Sequence, residues 1–128
     1  MIFTVALVIP ANTPIASPAA QVLKTTACTV KSVTVDFPLG TYWLVGTRVI
    51  YHTHQLYPTN PDAWLVAHGR SITFGDATAI VEAPQELMLE GYNLDDRYDH
   101  AVYWCLDVDL LSPAGSAPFV PDIYSGYA

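Results

Sequence analysis

The stretch HAVYWCLDVDL, residues 100–110, decides how the chain folds. Its even positions are His100, Val102, Trp104, Leu106, Val108 and Leu110; its odd positions are Ala101, Tyr103, Cys105, Asp107 and Asp109. Successive side chains of a β-strand point to opposite faces, so an apolar set alternating with a mixed set reads as a strand buried on one side. The same period runs outward through Val33, Val35 and Phe37 against Ser32, Thr34 and Asp36. It continues in Trp43, Val45, Thr47, Val49 and Tyr51, which form one face of a long strand carrying Arg48, His52 and His54 on the other. Ile72 and Phe74 mark a short strand, and Leu87 and Leu89 another that leads into Gly91. Within Pro84–Glu90 a capped helical turn or two is the competing reading, and the alternation favours the strand.

Turn formers separate these runs: Pro38-Leu39-Gly40, the proline-held loop 58–62, Gly75-Asp76, and Asn93-Leu94-Asp95-Asp96. Roughly six to eight short antiparallel strands in one domain read as all-β, a single antiparallel β-sandwich of which the jelly roll is one form. The expected core is Val33, Val35, Phe37, Trp43, Val45, Val49, Trp104, Leu106 and Val108. The domain spans residues 1–128, with no internal repeat and no linker.

Both ends are nearly free of charge. Met1–Ala20 holds no Asp, Glu, Lys or Arg, and from Leu110 to Ala128 there is only Asp122. Pro10, Pro14, Pro18, Pro113, Pro118 and Pro121 stiffen these ends. Disordered tails are usually polar and charged. Residues 1–20 therefore read as an N-terminal strand or arm and 112–128 as an extended, apolar C-terminal arm, laid either on the chain's own sandwich or on neighbouring copies. The side chains expected to bind partners are Phe3, Phe119, Val120, Ile123, Tyr124 and Tyr127.

Charged residues make up 13% of the 128-residue chain and apolar ones 52%, against roughly 25% charged in an average soluble domain. So small a domain needs polar groups to cover its exterior, and their shortage points to an oligomer or a subunit of an assembly. The net charge is −7, and Lys24, Lys31, Arg48, Arg70 and Arg97 are scattered. Direct nucleic-acid binding and docking on anionic membranes both need clustered basic residues, so neither is expected. Ile2–Ile9 has the apolarity of a signal-peptide core, but no positive charge precedes it and Pro10 follows, so a strand is expected. Cys28 and Cys105 read as free, partly buried thiols.

One pattern has metal-site spacing. Gly46 followed by His52-Thr53-His54 resembles the first half of a cupin motif, and residues at i and i+2 of a strand share a face. The carboxylate expected a few residues later is missing, as is the second cupin motif, although His100 is a candidate third ligand. Asn93, Asp95, Asp96 and Asp99 read as a solvated acidic turn, with Arg97 pairing locally. Trp43 and Trp104 fall on apolar strand faces, which leaves Trp64 as the candidate exposed aromatic for stacking a sugar. There is no nucleophile elbow and no phosphate loop. No catalytic residue, cofactor or metal is expected.

Several landmarks together resemble a known group. They are Val8-Ile9-Pro10-Ala11, Asp36-Phe37-Pro38-Leu39-Gly40, Gln55-Leu56-Tyr57-Pro58, Trp64, and Gly91-Tyr92-Asn93-Leu94-Asp95 followed by His100. The pattern is similar to small single-domain β-sandwich proteins of tailed bacteriophages. That resemblance implies a non-enzymatic virion component: a capsid decoration, minor capsid or head–tail connecting protein. It implies assembly in the host cytoplasm, with other copies of the chain and virion proteins such as the major capsid protein as partners. A carbohydrate-binding or adhesive β-sandwich module is the alternative reading, and a cupin-like metal enzyme the third.

Overall fold

The computed structural model describes residues 1–111. Ten strands make up the fold: β1 (Ile2–Ile9), β2 (Ala19–Lys24), β3 (Cys28–Phe37), β4 (Val45–Tyr51), β5 (His54–Tyr57), β6 (Leu65–Val66), β7 (Arg70–Gly75), β8 (Ala79–Ile80), β9 (Glu86–Asn93) and β10 (His100–Leu110). No helix occurs among the described residues. The alternation in residues 100–110 is realised directly: Val102, Trp104, Leu106 and Val108 are buried. Of residues 84–90, Glu86 onward form a strand, in which Leu87 and Leu89 both reach the core.

Two antiparallel sheets pack face to face. Sheet A has the order β1-β10-β3-β7 with β8 also beside β3, and sheet B the order β2-β9-β4-β5 with β6 also beside β4. The pairing is nested: β1 takes β10, β2 takes β9, β3 takes β7 and β8, and β4 takes β5 and β6. A single antiparallel ribbon, rolled so that successive pairs fall alternately in the two sheets, is a jelly roll. The twenty N-terminal residues belong to it: β1 lies in sheet A, and β2 opens at Ala19 in sheet B.

The core fills the space between the sheets with Leu7, Ile9, Val30, Val33, Val35, Phe37, Val45, Val49, Leu87, Leu89 and the four residues of β10 named above. Each large side chain removed from water contributes about 1.5–3 kcal/mol. Polar links also connect the two sheets. The buried Trp104 indole N–H donates to Thr47 Oγ1 at 3.1 Å, and that hydroxyl donates to the Glu90 carbonyl at 2.8 Å. Tyr57 Oη donates to Asp76 Oδ2. Tyr51 Oη donates to the Glu82 carbonyl at 2.9 Å and accepts from the Glu82 N–H at 2.8 Å. Cys28 is buried, Cys105 half-buried, and both are free thiols.

One expected core residue is not there. Trp43 is 60% exposed and lies ahead of β4, which begins at Val45. Its φ of 64° and that of Tyr42, 47°, belong to a turn and not to an extended strand. The apparent alternation from Trp43 to Val45 is therefore interrupted by backbone geometry.

Candidate interaction surfaces

Nesting brings the segments 10–18, 38–44, 67–69 and 94–99 to one end of the sandwich. The segment from Pro38 to Leu44 is built around Thr41, whose buried hydroxyl shares its one proton between the carbonyls of Pro38 (3.2 Å) and Ala67 (3.1 Å). Leu44 N–H closes the turn on the Thr41 carbonyl at 2.8 Å. Tyr42 N–H donates to His68 Nδ1 at 3.1 Å, and the two rings stack with centroids 4.4 Å apart. Leu39 lies against Gly69, whose φ is +57°. The result is a fixed display of apolar side chains: Leu39 is 83% exposed, Tyr42 65% and Trp43 60%. A positive φ at two successive aromatic residues costs free energy, and such strain concentrates where a side chain must be presented in one direction.

The acidic turn at the same end is a hydrogen-bonded knot and not merely a solvated loop. Asn93 is buried, and its amide donates to the carbonyls of Ile9 (3.1 Å) and Tyr98 (2.9 Å) while its oxygen accepts from Asp95 N–H at 2.9 Å. Asp95 accepts from Arg97 N–H and pairs with His100 Nε2, both at 2.9 Å. The Arg97 N–H foremost, then His100, hold its carboxyl below the usual range against a small opposing effect of burial. Asp99 accepts from Ala11 N–H at 2.9 Å, so it ties down the chain leaving β1 and does not pair with Arg97.

The cupin-like spacing is not realised as a site. His52 and Thr53 form the two-residue turn between β4 and β5, and His52 has a φ of 56°. The two histidines are thus not i and i+2 of one strand. His52 packs on Tyr51 and contacts the Glu82 carbonyl at 3.3 Å. His100 lies at the opposite end, engaged by Asp95. Among the described residues no three His, Cys, Asp or Glu side chains gather where an ion would sit.

The outer faces of the two sheets differ. On sheet B, Trp64 is half-buried and no open platform: it meets Tyr92 edge-on at 4.9 Å, and the Arg48 guanidinium lies 4.2 Å from its ring centroid. Arg48 Nε also donates to Glu90 at 2.8 Å. Gln55 Nε2 holds the covering segment in place through the carbonyls of Pro58 (2.8 Å), Asn60 (3.1 Å) and Ala63 (3.0 Å). On sheet A the outward rows mix small residues with Tyr103 and Asp36, and Lys31 pairs with Asp107 and Asp109 toward one end. A shallow groove of about 410 Å³ there is lined by Thr4, Ala6, Thr34, Tyr103 and Cys105 among others. Ile2 and Val8 stand exposed on the same face.

Of the expected partner-binding residues, Phe3 faces inward and packs against the core. Phe119, Val120, Ile123, Tyr124 and Tyr127 lie outside the described residues. Sequence reading missed the exposed aromatics Tyr42, Trp43 and Tyr98; for the first two the available signal was the nearby Pro38-Leu39-Gly40 turn.

No family model matches the chain, and no curated protein matches it in sequence. Among solved structures, the chain is similar to one in the X-ray structure of tomato aspermy virus, with 14% identity and a TM-score of 0.46, covering 92% of this chain and 82% of that one.

Proposed function

We propose that this chain is a non-enzymatic structural subunit of a viral particle: a capsid decoration, minor capsid or head–tail connecting protein of a tailed phage. The observation that carries the reading is the apolar surface the folded domain leaves open. Leu39, Tyr42 and Trp43 project from one end, while Ile2, Val8 and Tyr103 stand on the bare face of sheet A. Exposed apolar side chains gathered in this way mark contact areas, and the chain has few charges with which to cover them. Jelly rolls are a fold that viral shells use, and the resemblance to tailed-phage β-sandwich proteins points the same way. Its partners are then other copies of itself and virion proteins such as the major capsid protein, with segment 112–128 as a further arm. Two free thiols suit assembly in the reducing host cytoplasm. Native mass spectrometry and negative-stain microscopy of the full-length protein test this reading. A discrete oligomer or a larger shell is expected, and a monomer at every concentration overturns it.

A carbohydrate-binding or adhesive module is the second reading, favoured by the paired display of Tyr42 and Trp43. It requires that a sugar panel perturb tryptophan fluorescence and that Trp43→Ala abolish the effect.

A further inference from the structure

The strand β1 is the outer edge of sheet A, and it is unlike the other edges. Its eight residues pair with β10 in unbroken register and contain no charge, no proline and no bulge. The remaining edge strands are short or guarded. β5 has four residues, β6 and β8 two each; β2 carries Gln21 and Lys24; β7 begins with Arg70 and ends at Gly75. Long, flat, uncharged edges are templates for another strand, and natural proteins guard them unless something pairs there.

The hydrogen-bond phase fixes what the edge offers. Met1 and Val108 exchange both backbone bonds, at 3.0 and 2.7 Å. Antiparallel pairs alternate between bonded and non-bonded, so Phe3, Val5, Leu7 and Ile9 spend their backbone groups on β10. The N–H and C=O of Ile2, Thr4, Ala6 and Val8 consequently face away from the sheet.

We propose that this edge takes the β1 of a second copy, joining two A sheets into one across a two-fold axis at Val5. Opposed residues must lie on the same face, and this register satisfies that: Ile2 meets Val8, Thr4 meets Ala6, and Phe3 meets Leu7 of the second copy. It also satisfies every outward N–H and C=O of Ile2, Thr4, Ala6 and Val8 on both copies. The chain's own segment 112–128 is a poorer occupant, since Pro113, Pro118 and Pro121 remove the donors a ladder needs. The inference rests on the assembling-subunit reading only in requiring that copies associate.

The test uses the full-length protein in three forms: wild type, Thr4→Lys with Ala6→Lys, and Thr4→Glu with Ala6→Glu. Thr4 and Ala6 are exposed, so the variants should melt like wild type. In the proposed register, like charges stand opposite one another within each variant and opposite charges in their mixture. Native mass spectrometry should show the two-copy species lost in each variant and restored on mixing. Amide exchange at Thr4, Ala6 and Val8 should be slow in wild type and fast in each variant alone. If association is unchanged in both variants, the edge is not the contact, although the assembling reading survives. A wild type that stays monomeric overturns both. Amides that remain protected in a monomeric variant mean that the chain covers its own edge, which also overturns the proposal.

Discussion

The two sheets are built on the same alternation yet end with opposite exteriors. Sheet B is covered by its own chain: Tyr92 lies across Gly46, Trp64 abuts Tyr92, and Arg48 joins Trp64 to Glu90. Among the described residues, no connection folds over the outside of sheet A: its middle is a small row, Thr4, Cys105, Thr34 and Thr73 side by side, with Thr34 and Thr73 hydroxyls 3.0 Å apart, flanked by Tyr103 and Asp36. The strands do not decide this. The difference comes from one connection, residues 58–64, which Gln55 folds back over sheet B. Among the described residues, one face carries a cover and the other does not.

The hardest blow to the covered face is Gly46→Val. A Cβ at Gly46 would run into the Tyr92 ring, and β-branching adds bulk. Overpacking costs about 1–3 kcal/mol, so the melting temperature should fall by several degrees. Ala6→Val on the bare face should leave it nearly unchanged. Equal losses at the two positions would erase the distinction between the faces.

Next in size is the link beneath both faces. Thr47→Val keeps the volume but strands the buried Trp104 N–H, which should cost about 1–3 kcal/mol. Chemical denaturation measures this, and a neutral result would mean that the indole finds another acceptor.

A double-mutant cycle between Arg48→Ala and Trp64→Ala should then return a coupling of about 0.5–2 kcal/mol. Zero coupling would reduce the cover of sheet B to simple contact.

The smallest effect concerns pH. Burial opposes ionisation of Asp76, but hydrogen bonds from Tyr57, Thr78 and the Ala77 and Thr78 N–H groups outweigh it and hold the carboxyl below 3.8. A depressed folded value makes the ionised carboxylate favour the folded state above about pH 4, a contribution withdrawn as the pH falls through the folded value. Burial, reinforced by Asp76, raises the Tyr57 phenol above 10.0. Its contribution is intact below that pH and lost as the pH rises beyond it. Stability should therefore fall off at both extremes, and Asp76→Asn should flatten both slopes. Identical pH curves for variant and wild type would remove this link from the account.

Local pattern carried most of the strands, because period two is written residue by residue. Residues 100–110, 33–37 and 87–89 needed nothing beyond their own side chains. What required distant partners was not legible. Trp43 continues the alternation on paper, but Thr41, anchored to Ala67, turns the chain before the strand begins. Asn93 looks like a turn residue, and only the arrival of Ile9 and Tyr98 makes it a buried bracket. That residues 2–9 form a sheet edge with Phe3, Val5, Leu7 and Ile9 turned inward depends on β10, ninety and more residues away. The spacing of His52 and His54 suggested one strand face because no local signal places a two-residue turn between Tyr51 and His54.

Nesting has a further consequence in time. Because β1 pairs with β10 among the described residues, the earliest of these ten strands to be synthesised waits for the tenth. Synthesis proceeds at about 5–20 residues per second, so an uncharged, pairing-competent strand stays unmatched for several seconds in every nascent chain. Non-local closure of this kind also folds slowly once the chain is complete.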